Sequence, residues 1–188
     1  MGFDMNAFSL AGKKAIVTGG AKKTGLCYGM AVALHDAGAE IVILDANSQV
    51  ENTVAELGGA KSGYHAVVAN LLDLNDLSNG FQQAISALGG RLDILVNGAG
   101  LQYRCPSEEF PEDAWDRIMG VNIKGVFFMS QLAGKVMLKQ GKGKIINIAS
   151  TNSFIGLRNM PAYVSSKGGV KQLTMALSSE WSGRGINV

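Results

Sequence analysis

Tyr163 and Lys167 stand four residues apart in an apolar-periodic stretch, so on a helix both project from one face and can meet. A phenol ionises near pH 10 and is a poor base at neutral pH. An ammonium one helical turn away favours the phenolate, and so does any second cation docked beside it. Moving a phenol by about three pH units takes roughly 4 kcal/mol, which two cations in a low-dielectric cleft can supply. The pair therefore reads as proton-transfer chemistry. Ser150 precedes Tyr163 by thirteen residues and falls just past an apolar run, where its hydroxyl could polarise a carbonyl. Each residue also has a plain structural reading: YxxxK occurs in many helices, and a serine after a strand often caps or turns the chain.

The elements that must position these groups alternate between short β-type runs and longer helical patterns. Lys14 to Thr18 reads as a strand, followed by a Gly-rich turn and a helix from Tyr28 to Ala37. Strands follow at Glu40 to Leu44, Tyr64 to Val68, Asp93 to Asn97 and Lys144 to Ile148. Helices are expected over Ser48 to Leu57, Leu74 to Leu88, about Glu112 to Lys139 and about Ala162 to Trp181, with an irregular loop from Ala149 to Pro161. Runs such as Ile41-Val42-Ile43-Leu44 and Ile94-Leu95-Val96 do not alternate with polar residues. They suit strands buried on both faces of a parallel sheet, which predicts a single α/β domain, a doubly wound parallel sheet over residues 1–188.

The turn after the first strand, Thr18-Gly19-Gly20-Ala21-Lys22-Lys23-Thr24-Gly25-Leu26-Cys27-Tyr28-Gly29, opens straight into a helix. Glycines permit the turn and a close backbone approach, and the helix N-terminus offers free N–H groups to a pyrophosphate. Asp45 lies twenty residues after Gly25 at a strand end, where a carboxylate can accept from a ribose 2′-OH. This points to NAD. Lys22 and Lys23 could instead reach a 2′-phosphate, making NADP the alternative, although Asp45 would repel that group. Read blandly, the glycines make turns and the lysines are solvated.

Asn97-Gly98-Ala99-Gly100, Asn122, Ser150, Tyr163 and Lys167 together resemble the motifs of the short-chain dehydrogenase/reductase family, from about Leu10 to the last residue. The resemblance implies a Rossmann-like fold and an oxidoreductase that moves a hydride between NAD(H) and a secondary alcohol or ketone. It implies Tyr163 as general acid/base, Lys167 as the cation that lowers its pKa and holds the nicotinamide ribose, Ser150 as the group orienting the substrate oxygen, and Asn122 as the residue positioning a relay water. The implied cofactor site is Gly19, Ala21, Gly25, Leu26, Asp45, Asn70, Leu71, Asn97, Gly98 and Ala99, with Tyr163 and Lys167. Three positions depart from the family pattern. Gly98 replaces the second Asn of the family's NNAG, Cys27 sits where a last glycine is expected, and Asn70 replaces the Asp that contacts adenine, its amide oxygen still able to accept from the adenine amino group. The long glycine spacing resembles the enoyl-reductase branch, but that branch spaces its Tyr and Lys more widely, so carbonyl chemistry is expected. Gly125 to Gln131, Gly143 to Ser150 and Gly185 to Val188 are similar to sugar-acid dehydrogenases of the gluconate and deoxygluconate type. Gln102 and Arg104 are the expected substrate contacts, with Tyr103 and Arg158 beside them; an arginine fork would suit a carboxylate. Met129, Met137 and Phe127 to Phe128 either fill the core or, as the family implies, contribute to a subunit contact in a homodimer or homotetramer.

Composition bounds these readings. The chain has 188 residues, 47% hydrophobic and 17% charged, with 25 Gly and 3 Pro, which excludes a disordered tail, a coiled coil and a disulfide scaffold. A net charge of +2 without a basic run gives no reason to expect nucleic acid. Cys27 and Cys105 form no CxxC, and with two histidines no metal site is expected; a reducing, cytoplasmic setting fits. No membrane span or signal segment is expected, and Asn6 stands where a myristoylated Gly2 would need Ser or Thr. His35 and His65 lack a serine-nucleophile motif, which disfavours a triad hydrolase. The last residues look like a strand just beginning, so a chain truncated at its C-terminus, lacking strands and a substrate lid, is expected. Two other functions are compatible with the sequence: an NADPH-dependent 3-oxoacyl thioester reductase and a nucleotide-binding module without catalysis.

Overall fold

Apolar side chains on successive residues of one strand can all be buried only if both sheet faces are covered, and the chain achieves this at its centre. The computed structural model describes residues 5–188; the Gly2 position lies outside them. Six parallel strands, β1 (Lys14–Thr18), β2 (Glu40–Asp45), β3 (Tyr64–Val68), β4 (Ile94–Asn97), β5 (Gly143–Asn147) and β6 (Ile186–Asn187), form one sheet in the order β3-β2-β1-β4-β5-β6. The order reverses between β1 and β4, which opens a crevice at the carboxyl ends of those strands. Ile16, Val42 and Leu95 pack on one face with Phe81, Met129 and Trp181. Val17, Ile41, Ile43 and Val96 pack on the other with Ala31 and Val54. Neighbouring residues of β1, β2 and β4 thus feed opposite cores, as the unbroken apolar runs require.

The outer strands behave differently. Val68 of β3 is 39% exposed and Ile146 of β5 45% exposed, so burial on both faces holds for the three central strands but not at these positions. Helices α1 (Leu26–Asp36), α2 (Gln49–Glu56), α3 (Leu74–Ala87), α4 (Glu112–Met119), α5 (Val126–Gln140) and α6 (Pro161–Trp181) cover the sheet. The long helix expected over 112–139 is continuous but carries a π segment, Gly120–Gly125, between α4 and α5. The expected irregular loop 149–161 contains a single 3-10 turn, Thr151–Ser153. Among the described residues no helix is long and apolar enough to cross a membrane.

Candidate active site

At the reversal point the loop between β1 and α1 is pinned from several sides. Gly19 N–H donates to Leu44 C=O at 2.8 Å. Ala21 N–H donates to Asp45 Oδ2 at 2.9 Å, while Ala21 C=O accepts from the buried Thr53 hydroxyl at 2.7 Å. Thr18 Oγ1 receives the N–H groups of Gly98 and Ala99 at 3.0 and 3.1 Å, so the loops after β1 and β4 are locked together. Gly19 has φ +81°, and a Cβ there would stand 2.7 Å from Ala99 Cα; no other residue fits. Between these loops lies a cleft of about 660 Å³, the size of a cofactor site. Gly25 caps α1 without a side-chain hydrogen bond, and Gly25, Leu26 and Cys27 at the start of α1 line this cleft. Asp45 stands at the rim, its second oxygen holding Asn47 N–H at 2.9 Å.

Two departures from the family pattern occupy one space. A Cβ on Gly98 would lie 2.4 Å from Cys27 Sγ, so the thiol fills the room that a side chain at 98 would need. Burial pushes the Cys27 thiol above its ordinary value; the Asp45 carboxylate adds to this and the Lys167 ammonium opposes it.

Beyond the cleft, Pro161 starts α6 with its fixed φ, placing Tyr163 in the first turn and Lys167 one turn on. Lys167 is only 5% exposed. Its Nζ donates to Ile148 C=O at 2.5 Å and stands 5.8 Å from the centre of the Tyr163 ring. Burial pulls the Lys167 ammonium below its ordinary value, with the Cys27 thiolate as the opposing influence. A Cβ on Gly100 would be 3.9 Å from Lys167 Nζ, which puts the ammonium at the edge of the cleft. The Tyr163 hydroxyl has no hydrogen-bond partner among the described residues and is not sealed from solvent. It is therefore open to a ligand. Ser150 extends from the carboxyl end of β5 and caps the 3-10 turn.

The structure brings most of the expected residues together and displaces others. Gly19, Ala21, Gly25, Leu26, Asp45, Asn70, Leu71, Gly98 and Ala99 all line the cleft. Asn97, Tyr163 and Lys167 do not: Asn97 is buried beneath, donating to Ser130 Oγ and Asn147 Oδ1, both at 2.9 Å, and so ties α5 to the ends of β4 and β5. Asn122 is fully buried, its amide N–H groups donating to Leu101 C=O at 2.9 Å and Ser166 Oγ at 3.0 Å while Oδ1 accepts from Leu101 N–H at 2.7 Å. Its side chain therefore clamps the loop after β4 onto α6, leaving no N–H for a relay water. The Asn70 amide oxygen already accepts from Leu72 N–H at 3.0 Å, so one lone pair remains for adenine. Gln102 and Arg104 are exposed and do not line the cleft, whereas Leu101 does. Arg158 is likewise exposed on the facing loop, which is tied to the first by Cys105 N–H donating to Asn159 C=O at 2.9 Å. Lys23 pairs with Glu56, whereas Lys22 lines the cleft. Sequence reasoning missed Arg117 and Val121, which line the cleft from the helix one turn apart; that i, i+4 spacing was the available signal.

A family model described as short chain dehydrogenase matches residues 13–188. A 2-dehydro-3-deoxy-D-gluconate 5-dehydrogenase of Escherichia coli (strain K12) is 42% identical over 185 residues, covering 98% of this chain and 72% of that protein. A D-threitol dehydrogenase of Mycolicibacterium smegmatis is 37% identical over 182 residues, covering 96% and 69%. The crystal structure of a gluconate 5-dehydrogenase from Burkholderia cenocepacia J2315, in complex with NADP and tartrate, aligns with a TM-score of 0.88 at 32% identity, covering 96% of this chain and 70% of that one.

Proposed function

The chain belongs to the short-chain dehydrogenase family, and from that premise we propose that it interconverts a secondary alcohol and a ketone with NAD(H), acting on a sugar acid or polyol. The observation that carries the reading is the buried Lys167 ammonium, 5.8 Å from the ring centre of a tyrosine, Tyr163, whose hydroxyl is unengaged, next to a cleft of about 660 Å³. A dinucleotide fits that cleft: Gly19 gives it a floor without a side chain, the start of α1 offers N–H groups to a pyrophosphate, and Asp45 offers a carboxylate to a ribose. When bound, the nicotinamide supplies or accepts the hydride at the substrate carbon. In oxidation, the Tyr163 oxygen takes the alcohol proton; in reduction it returns a proton to the forming alkoxide. Lys167 favours the ionised phenol through its charge. Ser150 holds the substrate oxygen against Tyr163, and Asn122 fixes the loop after β4 at Leu101.

Asp45 at the rim favours NAD over NADP, while Lys22 is the cation available to a 2′-phosphate. Exposed apolar side chains at Phe154 (75%) and Met175 (60%) support a homodimer or homotetramer, and two free thiols fit a cytoplasmic setting. Fluorescence titration with NADH and NADPH, followed by turnover assays on gluconate-type acids, polyols and acetoacetyl thioesters, tests the proposal. NADH preference with turnover of an acid or polyol is expected. NADPH preference with thioester turnover would overturn it in favour of an acyl thioester reductase, and tight cofactor binding with no turnover on any substrate in favour of a binding module.

A further inference from the structure

Ser150 is held in a way that the proton chemistry above does not explain. Its Oγ accepts from the backbone N–H of Asn152 at 3.1 Å and lies 3.2 Å from Asn152 Oδ1, to which it donates its own proton. The hydroxyl of Thr151 points at the same Oδ1 from 3.4 Å. The Ser150 N–H donates to Ser153 Oγ at 3.3 Å, and the Ser153 hydroxyl donates to the Lys167 carbonyl at 2.8 Å, so this turn is clipped to α6 at the residue that carries the ammonium. With Ser150 in this state, its proton is engaged and cannot be offered to a ketone.

The other end of the same amide is out of place. Asn152 Nδ2 is sealed from solvent and has no partner, which is a costly state for an amide donor. Turning the amide end over end puts Nδ2 where Oδ1 now stands, within reach of Ser150 Oγ and Thr151 Oγ1. Ser150 Oγ then accepts two N–H groups, from the Asn152 backbone and side chain, and its own O–H is left to point at a substrate oxygen. The buried orphan becomes an acceptor, which proteins tolerate somewhat better than an orphaned donor.

We propose that Asn152 is a positioning residue for Ser150: one orientation of its amide engages the serine proton and the other releases it to the substrate. The proposal rests on the assignment of Ser150 to the substrate oxygen. It is tested with Asn152→Ala, Asn152→Asp and Ser150→Ala, each assayed for kcat and KM on the best substrate of the panel above, for NADH dissociation constant and for thermal midpoint. An ionised aspartate is isosteric but only accepts, so it holds the serine proton permanently; alanine merely removes the partner. The expected result is a loss in kcat of about tenfold for Asn152→Ala and a larger one for Asn152→Asp, with NADH affinity within about twofold of the parent. A purely structural residue would move the thermal midpoint of both variants and leave the order of their kcat values unrelated to acceptor strength. If Ser150→Ala is inactive while both Asn152 variants turn over within about twofold of the parent, the positioning role is wrong and the function stands. If Ser150→Ala itself keeps full activity, the serine assignment and this proposal fall together. Should Asn152→Asp fail to fold, kcat of Asn152→Ala at unchanged NADH affinity decides alone.

Discussion

Gly98→Ala is the most informative single perturbation of the cofactor site, because the structure gives both its cost and its cure. The added Cβ would meet Cys27 Sγ at 2.4 Å and Thr18 C=O at 3.1 Å, the first far inside ordinary contact. The thiol is buried and Thr18 C=O is backbone, so neither can step aside cheaply. Overpacking of this kind costs about 1–3 kcal/mol. At about 2–4 °C per kcal/mol for a chain of this size, the thermal midpoint should fall by roughly 2–12 °C. Cys27→Ala removes the sulfur and leaves its Cβ 3.5 Å from the new methyl, an ordinary contact. The double variant should therefore recover most of the loss, a coupling of about 1 kcal/mol or more in urea melts and in NADH dissociation constants measured in parallel. Effects that add within about 0.5 kcal/mol would refute the claim that these two residues share one space.

Other consequences follow from the same geometry. The unfolded chain binds the Lys167 proton more tightly than the buried site does, so this residue makes stability rise with pH from the lowered folded value up to 10.5; urea melts at rising alkaline pH up to 10.5 should show a smaller rise in Lys167→Met. Asp45→Asn removes one negative charge at the rim, worth about 1–2 kcal/mol against a 2′-phosphate, and should shift the ratio of NADPH to NADH affinity roughly tenfold toward NADPH in fluorescence titrations. Cys27 is buried with its thiol pushed up, so iodoacetamide should label Cys105 first in peptide mapping, and NADH should slow labelling of Cys27 alone.

The fold was legible where burial on both faces forced a run of apolar residues: β1, β2 and β4 could be placed within a residue of their ends for that reason. Tyr163 and Lys167 were legible because helical spacing fixes their relative direction. Loop side chains carry no such period. Gln102 and Arg104 were assigned by adjacency to the loop after β4, and nothing in their spacing tells that the cleft lining stops at Leu101 on that loop. Asn97 and Asn122 match family motifs, yet only the folded chain reveals that the N–H groups of both amides are consumed in holding strands, α5, loop and α6 together. The exchange between Cys27 and Gly98 was visible as two unrelated departures, since the contact that links them is made in space by residues far apart in the chain.

Turnover by Tyr163→Phe is the most direct measurement of the account. The phenol lies outside the wall of the dinucleotide cleft, so NADH should bind the variant within about twofold of the parent. Steady-state turnover should fall by about 10²–10⁴-fold with the proton donor gone. A variant that binds NADH normally and still turns over at the parental rate would contradict it.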